Sequence, residues 1–227
     1  GATFVTHAGV AAIRTDADRV TGVTTTRGAI ATERVVVAAG PFVAHVAALA
    51  GVALQLRPTR RQKLVLPELP SVPADAPMTI DEETAAHWRP AMRGCLALFT
   101  DPDTPPSEPH DPVPIDHDWA FGLLDRRSDH ALARVAPFWR DVWAGGAPSA
   151  HWYLQAGQYE VTPDRRPYLG PVAPGGLLVD GGYSRHGIMT GAGASRLVVD
   201  LLTGPASADA NPFRPDRTVD AREHDIL

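Results

Sequence analysis

Hydrophobic and polar positions alternate over the opening strands within the first forty residues, and the period then changes twice. Residues 10–14 (Val-Ala-Ala-Ile-Arg) and 20–26 (Val-Thr-Gly-Val-Thr-Thr-Thr), separated by a turn around Asp16, Ala17 and Asp18, alternate as half-covered strands do. A third short strand over 29–32 follows the Arg27-Gly28 turn, so the pattern predicts a β-meander. Residues 35–38 (Val-Val-Val-Ala) are continuously apolar, which predicts a strand covered on both faces. Gly40-Pro41 stops it, and a helix over 42–50 should run to Gly51.

From residue 54 the apolar runs become short and separated: 63–66, 78–80, 86–89 and 95–99 read as strands divided by prolines and acidic residues. Residues 101–114 hold six prolines among Asp, Ser and Glu, too few apolar groups for a core, and predict an exposed loop. Residues 119–124 and 131–139 carry helical spacing, with Pro137 near a helix end. A strand over 151–156 leads to a Thr162-Pro163-Asp164 turn, and 211–217 read as an extended tail packed by Phe213.

Composition narrows the class. At 227 residues and 44% hydrophobic side chains, the chain can bury one core or two. Lys plus Arg number 21 against 26 Asp plus Glu, a net charge of −5, and no basic tract stands ready to neutralise phosphates, which argues against nucleic acid. No apolar stretch is long enough for a membrane helix. The single Cys95 excludes an internal disulfide and points to the reducing cytoplasm.

The richest chemistry lies near the end. A short apolar strand at 177–181 empties into Gly181-Gly182-Tyr183-Ser184-Arg185-His186-Gly187-Ile188-Met189, and a helix follows whose first residues are nearly all small (Gly191, Ala192, Gly193, Ala194). Small residues let a ligand approach the free N–H groups of a helix start, which attract negative charge. This segment resembles the C-terminal flavin-contacting segment of the FAD-dependent oxidoreductases of the D-amino-acid oxidase, glycine oxidase and sarcosine oxidase superfamily. Residues 35–42 resemble that family's strand and tight turn beside FAD, 57–62 (Arg-Pro-Thr-Arg-Arg-Gln) its passage into the substrate domain, and 157–171 its return.

The resemblance implies an α+β architecture: a partial FAD-binding domain, Rossmann-like and of glutathione-reductase type, with a mostly antiparallel substrate domain. The implied divisions are 1–57 (FAD domain), 58–157 (substrate domain), 158–204 (FAD domain) and a tail over 205–227. It also implies a missing partner segment. The family's N-terminal Gly-x-Gly-x-x-Gly unit has no counterpart here, Arg196 standing where Gly191-Ala192-Gly193 would need a third glycine. A fragment lacking about 150 residues is the expectation.

The implied chemistry is oxidation of a C–N bond, in a small amine or amino acid, by hydride transfer to non-covalent FAD. Ala38, Ala39 and Gly40 would face one part of the cofactor, and Gly182, Tyr183, Ser184, Arg185, His186, Gly187, Ile188 and Met189 would line the flavin. Arg185, His186 and Tyr159 are the candidates for substrate chemistry. His186 either tunes substrate protonation or fills the turn and bonds the backbone; Arg185 either reaches a substrate carboxylate or points to solvent. Tyr159 stands where the resembled oxidases place a carboxylate-gripping arginine, Met189 where some relatives have lysine, and Gly157 where others have a flavin-tethering cysteine. Those departures lean toward the sarcosine and dimethylglycine dehydrogenase-like branch, with secondary or tertiary amines as substrates, and favour reading Tyr159 as a core aromatic whose hydroxyl finds a buried partner over a substrate contact.

Other groupings weigh less. Arg60 and Arg61 read as surface charges at a strand start, and Asp116-His117-Asp118 and His110-Asp111 as solvated loop, lacking metal-ligand spacing. Two competing functions remain: a serine hydrolase with Ser184 on a nucleophile elbow beside Asp180 and His186, and a non-catalytic remnant of the oxidoreductase fold.

Overall fold

A computed structural model describes residues 1–101, 104–135, 139–140 and 151–219. The chain divides into two compact units: 1–59, 107–109 and 159–227 form the first, and 60–106 and 110–158 the second. The end of the expected 131–139 helix lies partly outside the described residues.

The first unit begins with the meander. Strands β1 (Val10–Asp16), β2 (Arg19–Thr25) and β3 (Gly28–Ala31) pair antiparallel in that order. A second, mixed sheet has the order β10-β11-β4, built from β4 (Val35–Val37), β10 (Tyr168–Val172) and β11 (Leu177–Gly181). β11 pairs antiparallel with β10 and parallel with β4, in the register Leu177 with Val35, Leu178 with Val36 and Val179 with Val37. A short 3₁₀ turn, Gly40–Phe42, leads from β4 into α1 (Val43–Ala48).

Period-2 alternation sends neighbouring residues of β11 to opposite faces. Leu177 and Val179 join Val37, Val43, Ile13 and Val20 on the side of α1 and the meander. Leu178 and Leu169 pack instead against Ala194 and Val198 of a long helix, here numbered α4 (Gly187–Thr203). β4 departs from the expected strand covered on both faces. Among the described residues it pairs with β11 on one side only, and Val36 keeps 39% of its surface exposed.

The second unit is a five-stranded sheet of order β6-β7-β8-β5-β9: β5 (Arg57–Leu66), β6 (Thr79–Ile80), β7 (Ala86–Ala91), β8 (Gly94–Phe99) and β9 (Tyr153–Val161). β6 pairs antiparallel with β7, β7 with β8, and β8 with β5. Leu64, Leu66, Trp88, Ala97 and Phe99 form its core with α2 (His117–Leu124) and α3 (Leu132–Val135), contributed by Leu123, Leu124 and Leu132. The architecture is α+β. β5 starts six residues before the apolar run at Lys63, and β9 runs through Gly157 to Val161.

The tail is folded in, not extended. Asn211 is buried and its amide donates to Leu169 O, while Phe213 joins the α4 cluster. Arg217 is nearly buried, grips both oxygens of Asp164 at 2.8 Å, and lies 4.4 Å over the Tyr168 ring. Burial pushes the Asp164 carboxyl upward, but hydrogen bonds and charge from Arg217, with the Arg166 N–H and the Thr162 hydroxyl, hold it below its ordinary value.

Candidate functional site

The parallel register of β4 and β11 fixes the site. Because Val37 lies beside Val179, residues 38–40 and 180–182 leave the sheet at the same edge, the carboxyl ends of two adjacent parallel strands, each followed by a helix. Open α/β sheets bind ligands at such an edge. Gly40 has φ +52, a left-handed turn that suits glycine, and Phe42 N donates to Ala39 O at 3.1 Å.

The second turn is built tightly. Gly182 has φ +78, and a Cβ there would lie 2.6 Å from Thr162 Cγ2, so its glycine is required by internal packing. Ser184 is 1% exposed with φ +49. Its N–H donates to Glu160 O at 3.1 Å, and its Oγ accepts from Thr162 N at 3.1 Å and lies 3.2 Å from Thr162 Oγ1. Strand β9, which carries Tyr159, is thus tied to the 183–186 turn through its neighbour Glu160. Tyr159 itself is half-buried.

These bonds overturn the nucleophile-elbow reading. Ser184 is sealed from solvent and bonded to Thr162 and Gly182, and Asp180 is taken by another partner, the Tyr183 hydroxyl that donates to its Oδ1. Burial first, then the hydrogen bond to Asp180 and the charges of Asp180 and Glu160, push the Tyr183 hydroxyl well above its ordinary value. It is a fixed donor at any working pH.

Arg185, with φ +88, and His186 are both half-buried. His186 is the residue before α4 and offers no side-chain cap; its backbone closes the turn, N–H to Tyr183 O at 2.9 Å, carbonyl to Thr190 N at 3.0 Å. Gly187, Ile188 and Met189 therefore occupy the first three helical positions, whose N–H groups have no partner within the helix. No acidic residue occupies the first turn. Ile188 is fully exposed and Met189 77% exposed, so this helix start is open. The structure places Ala38, Ala39 and Gly40 at the same sheet edge as residues 180–182, from which the 182–189 segment leads into α4, and it draws Gly182 and Ser184 inward as supports.

The surface-charge reading of Arg60 and the loop reading of Asp116 do not hold. Asp116 is the N-cap of α2, accepting from Asp118 N and Trp119 N, and Arg60 pairs with it at 3.2 Å. Sequence reasoning also missed Thr162 and the Asp180–Tyr183 pair; the only signal for the latter is their i, i+3 spacing across a Gly-Gly turn.

The sequence profile of the DAO family, described as FAD dependent oxidoreductase, matches residues 1–201. The chain belongs to that family. This FAD dependent oxidoreductase family member is 29% identical over 208 residues to a glycine oxidase of Pseudomonas aeruginosa, covering 88% of this chain and 50% of the relative. It is 27% identical over 229 residues to a D-amino acid dehydrogenase of Cereibacter sphaeroides, covering 96% and 48%. The glycine oxidase of Geobacillus kaustophilus superposes with a TM-score of 0.71 at 25% identity, covering 94% of this chain and 53% of that one. The L-proline dehydrogenase of P. horikoshii shares the fold, with a TM-score of 0.70 at 18% identity over 92% and 53%. The chain spans about half the length of the curated relatives it matches. Among the described residues no helix is long and apolar enough to cross a membrane.

Proposed function

We propose that the protein works as an FAD-dependent oxidoreductase on a small amino acid or secondary amine, with the shared edge of β4 and β11 as its flavin-binding face. The observation that carries this reading is the open, uncapped start of α4, which follows the β11 strand end that lies beside the end of β4. A helix start carries about half a unit of positive charge, worth up to about 2 kcal/mol to a partly buried anion. The absence of an acidic residue from the first turn suits an electron-rich partner.

When bound, FAD supplies the acceptor for the hydride that leaves the carbon beside the amine nitrogen. Gly187, Ile188 and Met189 would hold the cofactor by backbone N–H groups, and Ala38, Ala39 and Gly40 would let it approach closely. Gly157 offers no tether, so attachment through this segment would be non-covalent. Arg185 and His186 flank this face as the charged and titratable groups for substrate, with Tyr159 on the adjoining strand. The names of the matched relatives, glycine oxidase and D-amino acid dehydrogenase, favour an amino acid over the tertiary amines of the dimethylglycine dehydrogenase-like branch. We place the protein in the cytoplasm, in keeping with its lone, buried Cys95.

The test is a spectrum. Protein purified from its full reading frame should show the visible absorbance of bound flavin, and anaerobic glycine, sarcosine or D-alanine should bleach it. Colourless protein that takes up no added FAD refutes the reading.

A further inference from the structure

We propose that Arg217, in the tail, is a positioning residue for the flavin-facing turn, holding residues 183–186 in place through the Arg166 carbonyl, Thr162 and Ser184. The proposal rests on the flavin-binding role of that turn, and every group in the line belongs to the first unit.

The line is continuous, and its protons can be assigned. Arg217 Nη2 and the Thr162 hydroxyl donate to one shared acceptor, Arg166 O, at 2.8 and 2.9 Å. A threonine hydroxyl has a single proton. Because Thr162 gives it to Arg166 O, the 3.2 Å contact between Thr162 Oγ1 and Ser184 Oγ makes the serine the donor, while Ser184 Oγ accepts Thr162 N–H at 3.1 Å. Donors therefore run one way, from Ser184 to Thr162 to a carbonyl that also meets a guanidinium. Thr162 and Ser184 are each 1% exposed, so water does not compete for these groups.

The tail end of the line is anchored on its own. Leu169 N donates to Phe213 O at 2.8 Å, the Asn211 amide donates to Leu169 O, and Arg217 N closes a turn on Arg214 O at 3.2 Å. From this base the guanidinium takes both oxygens of Asp164 at 2.8 Å and the carbonyls of Pro167 and Phe213 at 3.1 and 3.2 Å. A planar fork makes so many fixed contacts possible, and a lysine ammonium cannot reproduce them.

The other end needs such support. Gly182, Ser184 and Arg185 have φ of +78, +49 and +88, and Arg165, in the turn over 162–167, has +60. Left-handed backbone at non-glycine residues persists only where surrounding contacts over-determine it. The two turns meet at the Thr162–Ser184 pair. His186 N–H donates to Tyr183 O across the second turn, and α4 starts at the next residue with no side-chain cap. The turn therefore sets the direction of the first helical N–H groups.

A double-mutant cycle in protein purified from its full reading frame tests this. Arg217→Lys keeps the charge and gives up the fork, whereas Thr162→Val keeps the shape and removes the hydroxyl. Each should weaken FAD binding about tenfold, and the two together no more than either alone, because both cut one line. The ratio of affinities for reduced and oxidised FAD, read as the reduction potential, should fall about threefold in each variant, which a loss of global stability would leave unchanged. Before flavin is added, the amides of Thr162 and Ser184 should exchange about tenfold faster in Arg217→Lys while those of β2 keep their rates. Full FAD affinity or an unchanged potential in folded Arg217→Lys, losses that multiply in the double variant, or faster exchange spread evenly over the first unit overturns the proposal. If Arg217→Lys does not fold, the unmodified protein decides by reciprocity: adding FAD should slow exchange of the Arg217 amide relative to β2, and the lack of such a difference overturns the proposal. A parent protein that binds no FAD refutes the flavin assignment instead, and the exchange comparison without flavin still decides whether Arg217 holds the turn.

Discussion

Ser184 illustrates how a residue with reactive chemistry can be purely structural. Its hydroxyl accepts the Thr162 N–H in a site with 1% exposure, so Ser184→Ala leaves a buried donor unpaired and should cost about 1–3 kcal/mol. A denaturant midpoint shift measures this. A serine-directed covalent probe should leave the folded protein unlabelled. Asp164 makes a second prediction through pH. Its folded-state pKa is depressed, so its contribution is complete above the ordinary carboxylate value of about 3.9 and is lost as pH falls through the lower folded value. Asp164→Asn should cost about 3 kcal/mol at neutral pH, chiefly because Arg217 stays buried without its partner. The gap between variant and parent should narrow below about pH 4 in urea titrations run at stepped pH. Neither partnership was legible in the sequence: Asp164 and Arg217 stand 53 residues apart, Thr162 and Ser184 22 apart, and local periodicity carries no information about such pairs.

Elements were far more readable where burial is one-sided. Alternation located the meander, and the Gly-Gly turn followed by small residues located the start of α4, because strand period and helix-start chemistry are local properties. β5 and β9 were longer than their apolar runs suggest for opposite reasons. The start of β5 is masked by charges that line a cavity, whereas Gly157, a residue that weakens strands, lies within β9 where an added Cβ would meet nothing within 4 Å. The start of α4 yields a prediction in which two effects have opposite signs. Met189→Glu places a carboxylate in an exposed first turn that has none; it should stabilise the helix by about 0.5 kcal/mol and yet weaken FAD binding by about tenfold. Thermal melts and a flavin titration on the same sample separate the two.

At the scale of the molecule, one unit sets two parallel strand ends side by side, and the other has a cavity walled in part by Phe99 and Trp119. Cys95 lies fully inside the second core, and burial pushes its thiol up to about 12. Thiol reagents should therefore label it only through unfolding of that core, and labelling rates against denaturant should track the unfolding free energy. The central claim is that one cofactor touches both strand ends of the first unit. Amide hydrogen exchange with and without FAD tests it most directly. The account predicts that residues 39–42 and 187–190 gain protection together on adding FAD; flavin binding that protects one segment and leaves the other unchanged would contradict it.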